Sequence, residues 1–463
     1  MYTVHPKNDE CFYLRLLLVN VRGPTSFETL RTVNGVIFPT YRAACEELNL
    51  LENDTHWDTT IAEAIISASP SQIRTLFAII ISTCFPSNPC NLWHKYKDSM
   101  SEDILHQSRV SSRNHDIEMN EEIHNRALLL IEDMCYLMCG NLLIRLGMPA
   151  PNREMNDAFN RELEREREYD HQELDLVVQR NVPLLNYQQK EVYDTLMKAI
   201  ADENGDFSEQ LLTIGNGQVP VDESSGLISF PNNFCNFVSS KDELINNVFP
   251  NIISNYKNNE WLSERAILAA KNKDVDDLNY IIQNKIIGTM HSFKSIDCVT
   301  NEDEATNYPI EFLNSLDVPG LPPHNLRLKV GSVVIMLRNI NQPKLCNGTR
   351  LVISKLMNNV IYATIMIGKF KGEEVLIPRI PMIPTDMPFE FKRLQFPIRL
   401  AFAMTINKSQ GQSLKVCGLN LEHSCFSHGQ LYVACSRVGR PSALFVFAPD
   451  NKTKNVVYHK VLK

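Results

Sequence analysis

Residues 400–414, LAFAMTINKSQGQSL, run from an apolar segment into Thr405, Asn407, Lys408, Gln410 and Gly411. A buried element that ends in hydroxyl, amide, ammonium and glycine groups is how a contact to phosphate or to a nucleic-acid backbone is commonly built. Residues 431–438, LYVACSRV, then place one arginine, Arg437, directly after the small apolar segment YVACS. A guanidinium held on a buried element is rigidly aimed, and an aimed arginine suits the charge of a transferring phosphate. Taken singly, NKSQGQS also reads as a polar turn and Arg437 as a surface ion-pair partner. Together the two stretches favour phosphate chemistry.

The strings T-I-N-K-S-Q-G and Y-V-A-C-S-R resemble motifs V and VI of superfamily 1 DNA helicases, specifically the Pif1-like helicases of Helitron-type transposons. The resemblance implies ATP-driven 5′ to 3′ unwinding in recombination, repair, telomere maintenance or transposition, with ATP and Mg²⁺ as cofactors and single-stranded DNA as partner. It gives Arg437 to the γ-phosphate, Gln410 and Gly411 to the nucleotide, and Thr405, Asn407 and Lys408 to the DNA. Further upstream, LNYQQKEVYDTLMKAI over 185–200 reads as an amphipathic helix with Asn186 as its N-cap. Its start resembles the helicase Q-motif, which assigns Gln189 to the adenine edge. A capped helix with a surface glutamine explains the same residues.

An ATPase of this superfamily also needs a glycine-rich loop ending in G-K-[ST], whose amides cradle the phosphates while the lysine neutralises them and the hydroxyl holds Mg²⁺. The sequence contains no G-K-[ST]; the nearest strings are Gly215-Asn216-Gly217 and Gly368-Lys369-Phe370. Val221-Asp222-Glu223 follows Pro220 and reads as a loop rather than as a strand presenting a Mg²⁺-binding acid. Between Gln189 and Arg265 lie 75 residues. A βαβ unit takes about 30 or more, so at most two fit there. The chain is therefore expected to pass from the Q-motif straight to the second lobe and to be unable to hydrolyse ATP.

The expected fold class is α/β: an incomplete RecA-like helicase core with an SH3-like β insert, called 2B, behind a mainly helical N-terminal domain. The expected divisions are 1–112 helical and similar to the segment upstream of Helitron helicases, 113–184 helical and charged, and 185–260 a remnant of the first lobe. Then follow 261–319 as the start of the second lobe, 320–397 as the 2B insert, and 398–463 as the lobe's end with motifs V and VI. No His-x-His occurs, so no nuclease is expected. Within these divisions, residues 11–21 read as a short extended start and 57–67 and 71–84 as helices. The clearest helix is 117–148, with Leu128, Ile131, Cys135, Met138 and Leu142 on one stripe. Residues 153–173 form a mixed-charge run. Residues 265–270 read as a buried strand and 273–284 as a helix. A proline-punctuated loop covers 309–323, followed by strands at 326–337, 349–355, 360–367 and 374–377 and a proline-rich crossover.

The net charge of −8 conceals a strong asymmetry. From Asn325 onward there are 20 Lys and Arg against 6 Asp and Glu, leaving 26 against 48 for residues 1–324. A basic C-terminal part is the footprint expected for a phosphate backbone, although a basic surface facing solvent accounts for the same count. Hydrophobic content of 44% and charged content of 22% are those of a globular protein. No apolar run reaches the length of a membrane span, and the twelve cysteines include no C-x-x-C, so an intracellular, nuclear protein with reduced thiols is expected. Two other outcomes stay open: a non-catalytic fragment that binds single-stranded DNA, and a transposon relic that does not fold stably.

Overall fold

The computed structural model describes residues 4, 9–48, 50–51, 54–112, 114–153, 206–301, 306–384 and 387–458. The chain divides into two compact units, one of residues 1–155, 288–330 and 334–399, the other of 156–287, 331–333 and 400–463. Gln189, the helix expected at 185–200 and nearly all of the charged run at 153–173 lie outside the described residues.

The first unit opens with helix Asp9–Asn20, where an extended start was expected. Only Val19 and Val21 are β-branched in CFYLRLLLVNV, and the run of leucines around Arg15 has the intrinsic preference of a helix. Helices Asp54–Ile65 and Pro70–Thr83 follow, the second opened by a capping box between Ser69 and Gln72 with Pro70 in the first turn. Helix Glu121–Cys139 ends at Gly140 in the left-handed conformation. Leu128, Ile131 and Cys135 form its buried stripe, while Leu142 lies beyond its end and is exposed.

Among the described residues, the larger sheets of this unit are one of five strands and one of three, beside two two-stranded pairs. In the larger sheet, Val360–Ile365 pairs antiparallel with Arg350–Leu356 on one side and Glu374–Pro378 on the other. The strand expected at 326–337 is two strands, Asn325–Leu328 and Val333–Met336. Gly331 divides them with φ +86, a conformation that a side chain would strain. Helix Ile310–Ser315 stands within the expected loop at 309–323. The proline-rich crossover supplies Ile380–Met382 and Phe391–Gln395, both strands of the smaller sheet.

Helices of the N-terminal half close the Val360–Ile365 face. Asn359 donates from its backbone N to Glu63 Oε2 at 2.9 Å, Tyr362 from its hydroxyl to Ala64 O at 3.1 Å, and Lys355 from Nζ to Ser67 Oγ at 2.8 Å.

The second unit holds a five-stranded sheet in the order Ala403–Thr405, Arg265–Ala269, Val416–Asn420, Leu444–Phe447, Asn236–Phe237, with every adjacent pair parallel. Parallel strands covered on both faces read as continuous apolar runs, and Ala266, Ile267, Leu268 and Ala269 are all buried. Helix Lys241–Val248 packs closely over the central strand because Gly418 has no side chain: a Cβ there would stand 2.7 Å from Val248 Cγ2. The residues around 206–234 belong to the same core. Phe207, Ile214, Phe230 and Phe234 pack with Leu431, Ala434 and Cys435 of helix Gln430–Cys435.

Candidate nucleic-acid and nucleotide interface

The polar cluster hangs on an edge strand of the parallel sheet. Helix Asn272–Lys285 fixes that strand through Asn279, a 1% exposed side chain in its interior. Asn279 Oδ1 accepts from Ala403 N at 2.8 Å, and its Nδ2 donates to Ala403 O at 2.9 Å and to Leu400 O at 3.2 Å. One carboxamide thus supplies the backbone pairing that an edge strand lacks, where an unpaired buried amide would be costly. Sequence reasoning missed Asn279; its signal is an amide on the buried face of an otherwise apolar helix.

Beyond Thr405, which is half-buried, the chain makes a 3-10 turn over Ile406–Ser409. Positions three apart eclipse in such a turn. Ile406 and Ser409 are both fully buried, so Asn407 and Lys408 between them are left facing solvent. Gln410 and Gly411 are exposed as well, and Gly411 takes φ +80 with no atom near its missing Cβ. The chain then returns inward at Leu414, which is 7% exposed. The structure therefore gathers Thr405, Asn407, Lys408, Gln410 and Gly411 on one short loop.

Arg437 stands behind this loop, two residues past the end of helix Gln430–Cys435. Its guanidinium donates from Nε to Val433 O at 2.7 Å, from Nη1 to Ser409 O at 3.2 Å and Gln412 O at 2.9 Å, and from Nη2 to Ser436 Oγ at 2.7 Å. Leu414 N in turn donates to Arg437 O at 2.8 Å. Gln412, which sequence reasoning did not single out, is tied to the same turn by Nε2 donating to Lys408 O at 3.4 Å.

The strings nearest to a phosphate loop do not fit a triphosphate with its metal. Gly215-Asn216-Gly217 terminates the helix over 206–215, so it offers the carbonyl end of a helix, whose dipole repels anions. Gly368-Lys369-Phe370 lies in the connection between Val360–Ile365 and Glu374–Pro378. Asp222 caps a tight turn: its carboxylate accepts from Ser224 Oγ at 2.6 Å and from Lys452 Nζ at 3.0 Å, and these partners hold its pKa well below the usual carboxylate range. Elsewhere in this unit, Asp274, Glu422 and His423 bring ligand-type atoms within 4.8 Å of one another. They are tied internally, His423 Nδ1 to Asp274 at 3.0 Å and Lys241 to Glu422 at 2.5 Å, and join the starts of two helices to the loop after Val416–Asn420.

Part of the basic C-terminal charge is buried or paired. Arg350, Arg379 and Arg393 are 1%, 8% and 0% exposed, and Lys344, Lys415 and Lys452 pair with Glu373, Glu264 and Asp222. Tyr362 is 2% exposed and presents no stacking face. All twelve cysteines are free thiols, and burial pushes those of Cys417 and Cys425 up to about 12. Among the described residues no helix is long and apolar enough to cross a membrane.

Residues 311–356 match the family model of the DNA helicase Pif1 2B domain. The chain is 27% identical over 235 residues to the ATP-dependent DNA helicase Pif1 of Campylobacter jejuni, covering 48% of this chain and 51% of that protein. It is 34% identical over 139 residues to the Bdellovibrio bacteriovorus Pif1, covering 30% of each. The chain thus spans about half the length of the first of these relatives and less of the second. A Pif1 helicase from Bacteroides in complex with ADP-AlF3 and single-stranded DNA aligns with TM-score 0.36 and 21% identity, over 55% of this chain and 52% of that one.

Proposed function

We propose that this Pif1-like chain binds single-stranded DNA through the loop following strand Ala403–Thr405 and does not, by itself, turn over ATP. The observation that carries the first part is the 3-10 turn, in which buried Ile406 and Ser409 leave Asn407 and Lys408 outward beside half-buried Thr405. An ammonium and an amide on a fixed turn suit phosphate and sugar contacts, which carry affinity without reading sequence. Little base preference is expected, because Tyr362 on strand Val360–Ile365 is buried and offers a base no face to stack on.

Kinship with ATP-dependent DNA helicases supports the wider reading of a helicase-derived protein acting on nuclear DNA in recombination, repair, telomere maintenance or transposition. In that reading Gln189, Gln410 and Gly411 would contact ATP, which would be bound together with Mg²⁺. Bound there, ATP would supply the free energy that drives strand separation. The residues of this chain do not supply the phosphate cradle: the sequence has no G-K-[ST], and neither Gly215-Asn216-Gly217 nor Gly368-Lys369-Phe370 opens a helix.

The test is fluorescence anisotropy with labelled oligo-dT over a salt series. Weak binding that falls with salt is expected, with a log–log slope of about −0.7 per phosphate contacted. Lys408→Ala should make that slope shallower by about 0.7. Absent binding at low salt, or binding indifferent to salt, would sink the proposal.

A further inference from the structure

We infer, on the reading of the 405–412 loop as the single-stranded DNA contact, that Arg437 acts in this chain as a positioning residue that shapes the loop, and not as a phosphate-contacting group. A guanidinium has five N–H donors. Four of them are spent within the chain, on Val433 O, Ser409 O, Gln412 O and Ser436 Oγ. The single N–H that remains cannot form the paired, parallel hydrogen bonds through which arginine grips a phosphate. Reaching a phosphate in that way would require giving up charge-assisted hydrogen bonds to carbonyls that are already part of the turn network, Ser409 O also accepting from Gln412 N at 3.0 Å and Val433 O from Ser436 Oγ at 3.1 Å.

The four acceptors lie on the two pieces of structure that make the site. Ser409 and Gln412 bracket the exposed Gln410 and Gly411, while Val433 and Ser436 are the end of the helix behind them. Drawing the carbonyls of Ser409 and Gln412 toward one cation closes the loop at its base. The side chains of Asn407, Lys408 and Gln410 are then turned outward, since the inward side is occupied by backbone oxygens and by buried Ile406 and Ser409. Arg437 is itself pinned from the other side, because its carbonyl accepts from Leu414 N at 2.8 Å. Its contribution to DNA binding is therefore geometric.

Positioning and direct contact differ in a measurable way. Loss of a phosphate contact removes a counterion-release step and makes the salt slope shallower by about 0.7; loss of loop geometry lowers affinity and leaves the slope where it was. Full-length wild-type, Arg437→Lys, Arg437→Gln and Lys408→Ala chains are compared by oligo-dT anisotropy from low to moderate salt, with thermal melting alongside. Arg437→Lys keeps the charge but cannot span four separated acceptors, and should bind about tenfold more weakly at unchanged slope. Wild-type affinity in Arg437→Lys, or a slope shallower by about 0.7 in Arg437→Gln, would overturn the inference. Amide hydrogen exchange without DNA supplies a readout independent of the binding proposal. The amides of Gln412 and Leu414 should exchange faster in Arg437→Lys and Arg437→Gln than in wild type, at a melting temperature shared with Lys408→Ala. If the wild type fails to bind oligo-dT, the proposed function falls. Faster exchange then still supports the clamp, and unchanged exchange rejects it.

Discussion

Arg393 and Asp297 show how a charge counted as surface in the sequence becomes a structural tie. Both side chains are 0% exposed, with Arg393 Nη2 donating to Asp297 Oδ2 at 2.7 Å. The same guanidinium donates to the carbonyls of Leu313, Leu316 and Pro322, which fastens the segment around helix Ile310–Ser315 to strand Phe391–Gln395. Removing the arginine takes the guanidinium from a buried carboxylate, which keeps only the Ser295 hydroxyl at 2.7 Å as a close donor, and takes one donor from each of three carbonyls. Arg393→Ala should therefore cost about 3–5 kcal/mol, read from the denaturant midpoint. Replacing Asp297 as well, by leucine in Arg393→Met, should recover only part of this, because the three carbonyls still lose the guanidinium. Full recovery in the double variant would mean that the ion pair alone carries the effect. Such residues explain why a balance of 20 cations to 6 acids overstates the basic surface. Charge is legible from sequence, whereas its burial depends on partners such as Asp297 that lie nearly a hundred residues away.

At the scale of elements, close approach is set by what is missing. Gly418 sits in the middle of strand Val416–Asn420, and a Cβ there would meet Val248 Cγ2 at 2.7 Å, Ile267 Cγ1 at 3.0 Å and Leu244 Cδ1 at 3.2 Å. The branched Val248 cannot swing away cheaply. Gly418→Ala should destabilise the second unit by about 1–3 kcal/mol, and Gly418→Val by more, with the loss followed by hydrogen exchange of Ile267 and Leu419. Wild-type protection in Gly418→Val would show that helix Lys241–Val248 is free to shift. Elements with strong local signals were legible in the sequence. The run RAILAA is the buried strand Arg265–Ala269, the helical spacing after it is helix Asn272–Lys285, and the Val- and Ile-rich runs between turn signals are Val360–Ile365 and Glu374–Pro378. Helix Asp9–Asn20 was not, because its leucines are consecutive rather than periodic. For the candidate site, the loop residues could be picked out by type and order. The carbonyls that Arg437 would meet could not, since a backbone acceptor leaves no mark in sequence.

At the scale of the whole molecule, the proposed lack of ATP turnover follows from what phosphoryl transfer requires. Catalysis of that reaction rests almost wholly on positioning and on electrostatic partners for the phosphates: loop amides, a lysine and a metal-holding carboxylate. This chain has the polar loop at 405–412 and Arg437 behind it, and no G-K-[ST]. Asp222, the acid nearest in sequence pattern, is held in its turn by Ser224 and Lys452. ATP hydrolysis by the purified chain should stay at background with or without single-stranded DNA. Arg437→Ala should change it no further, since an arginine worth roughly 10³ to 10⁵ in rate acts only where the other partners are in place. The informative comparison is a chain in which a Pif1-type phosphate-binding lobe is inserted after Ile200. DNA-stimulated turnover only in that chain would show that the loop and Arg437 remain competent, with Arg437 then exchanging its carbonyl partners for a phosphate. Turnover by the unaltered chain, abolished by Arg437→Ala, would place a phosphate site in it after all. A partner chain carrying the lobe could act in place of the insertion, but it would have to bear the entropy of association, so its effect should depend on protein concentration where that of the insertion does not.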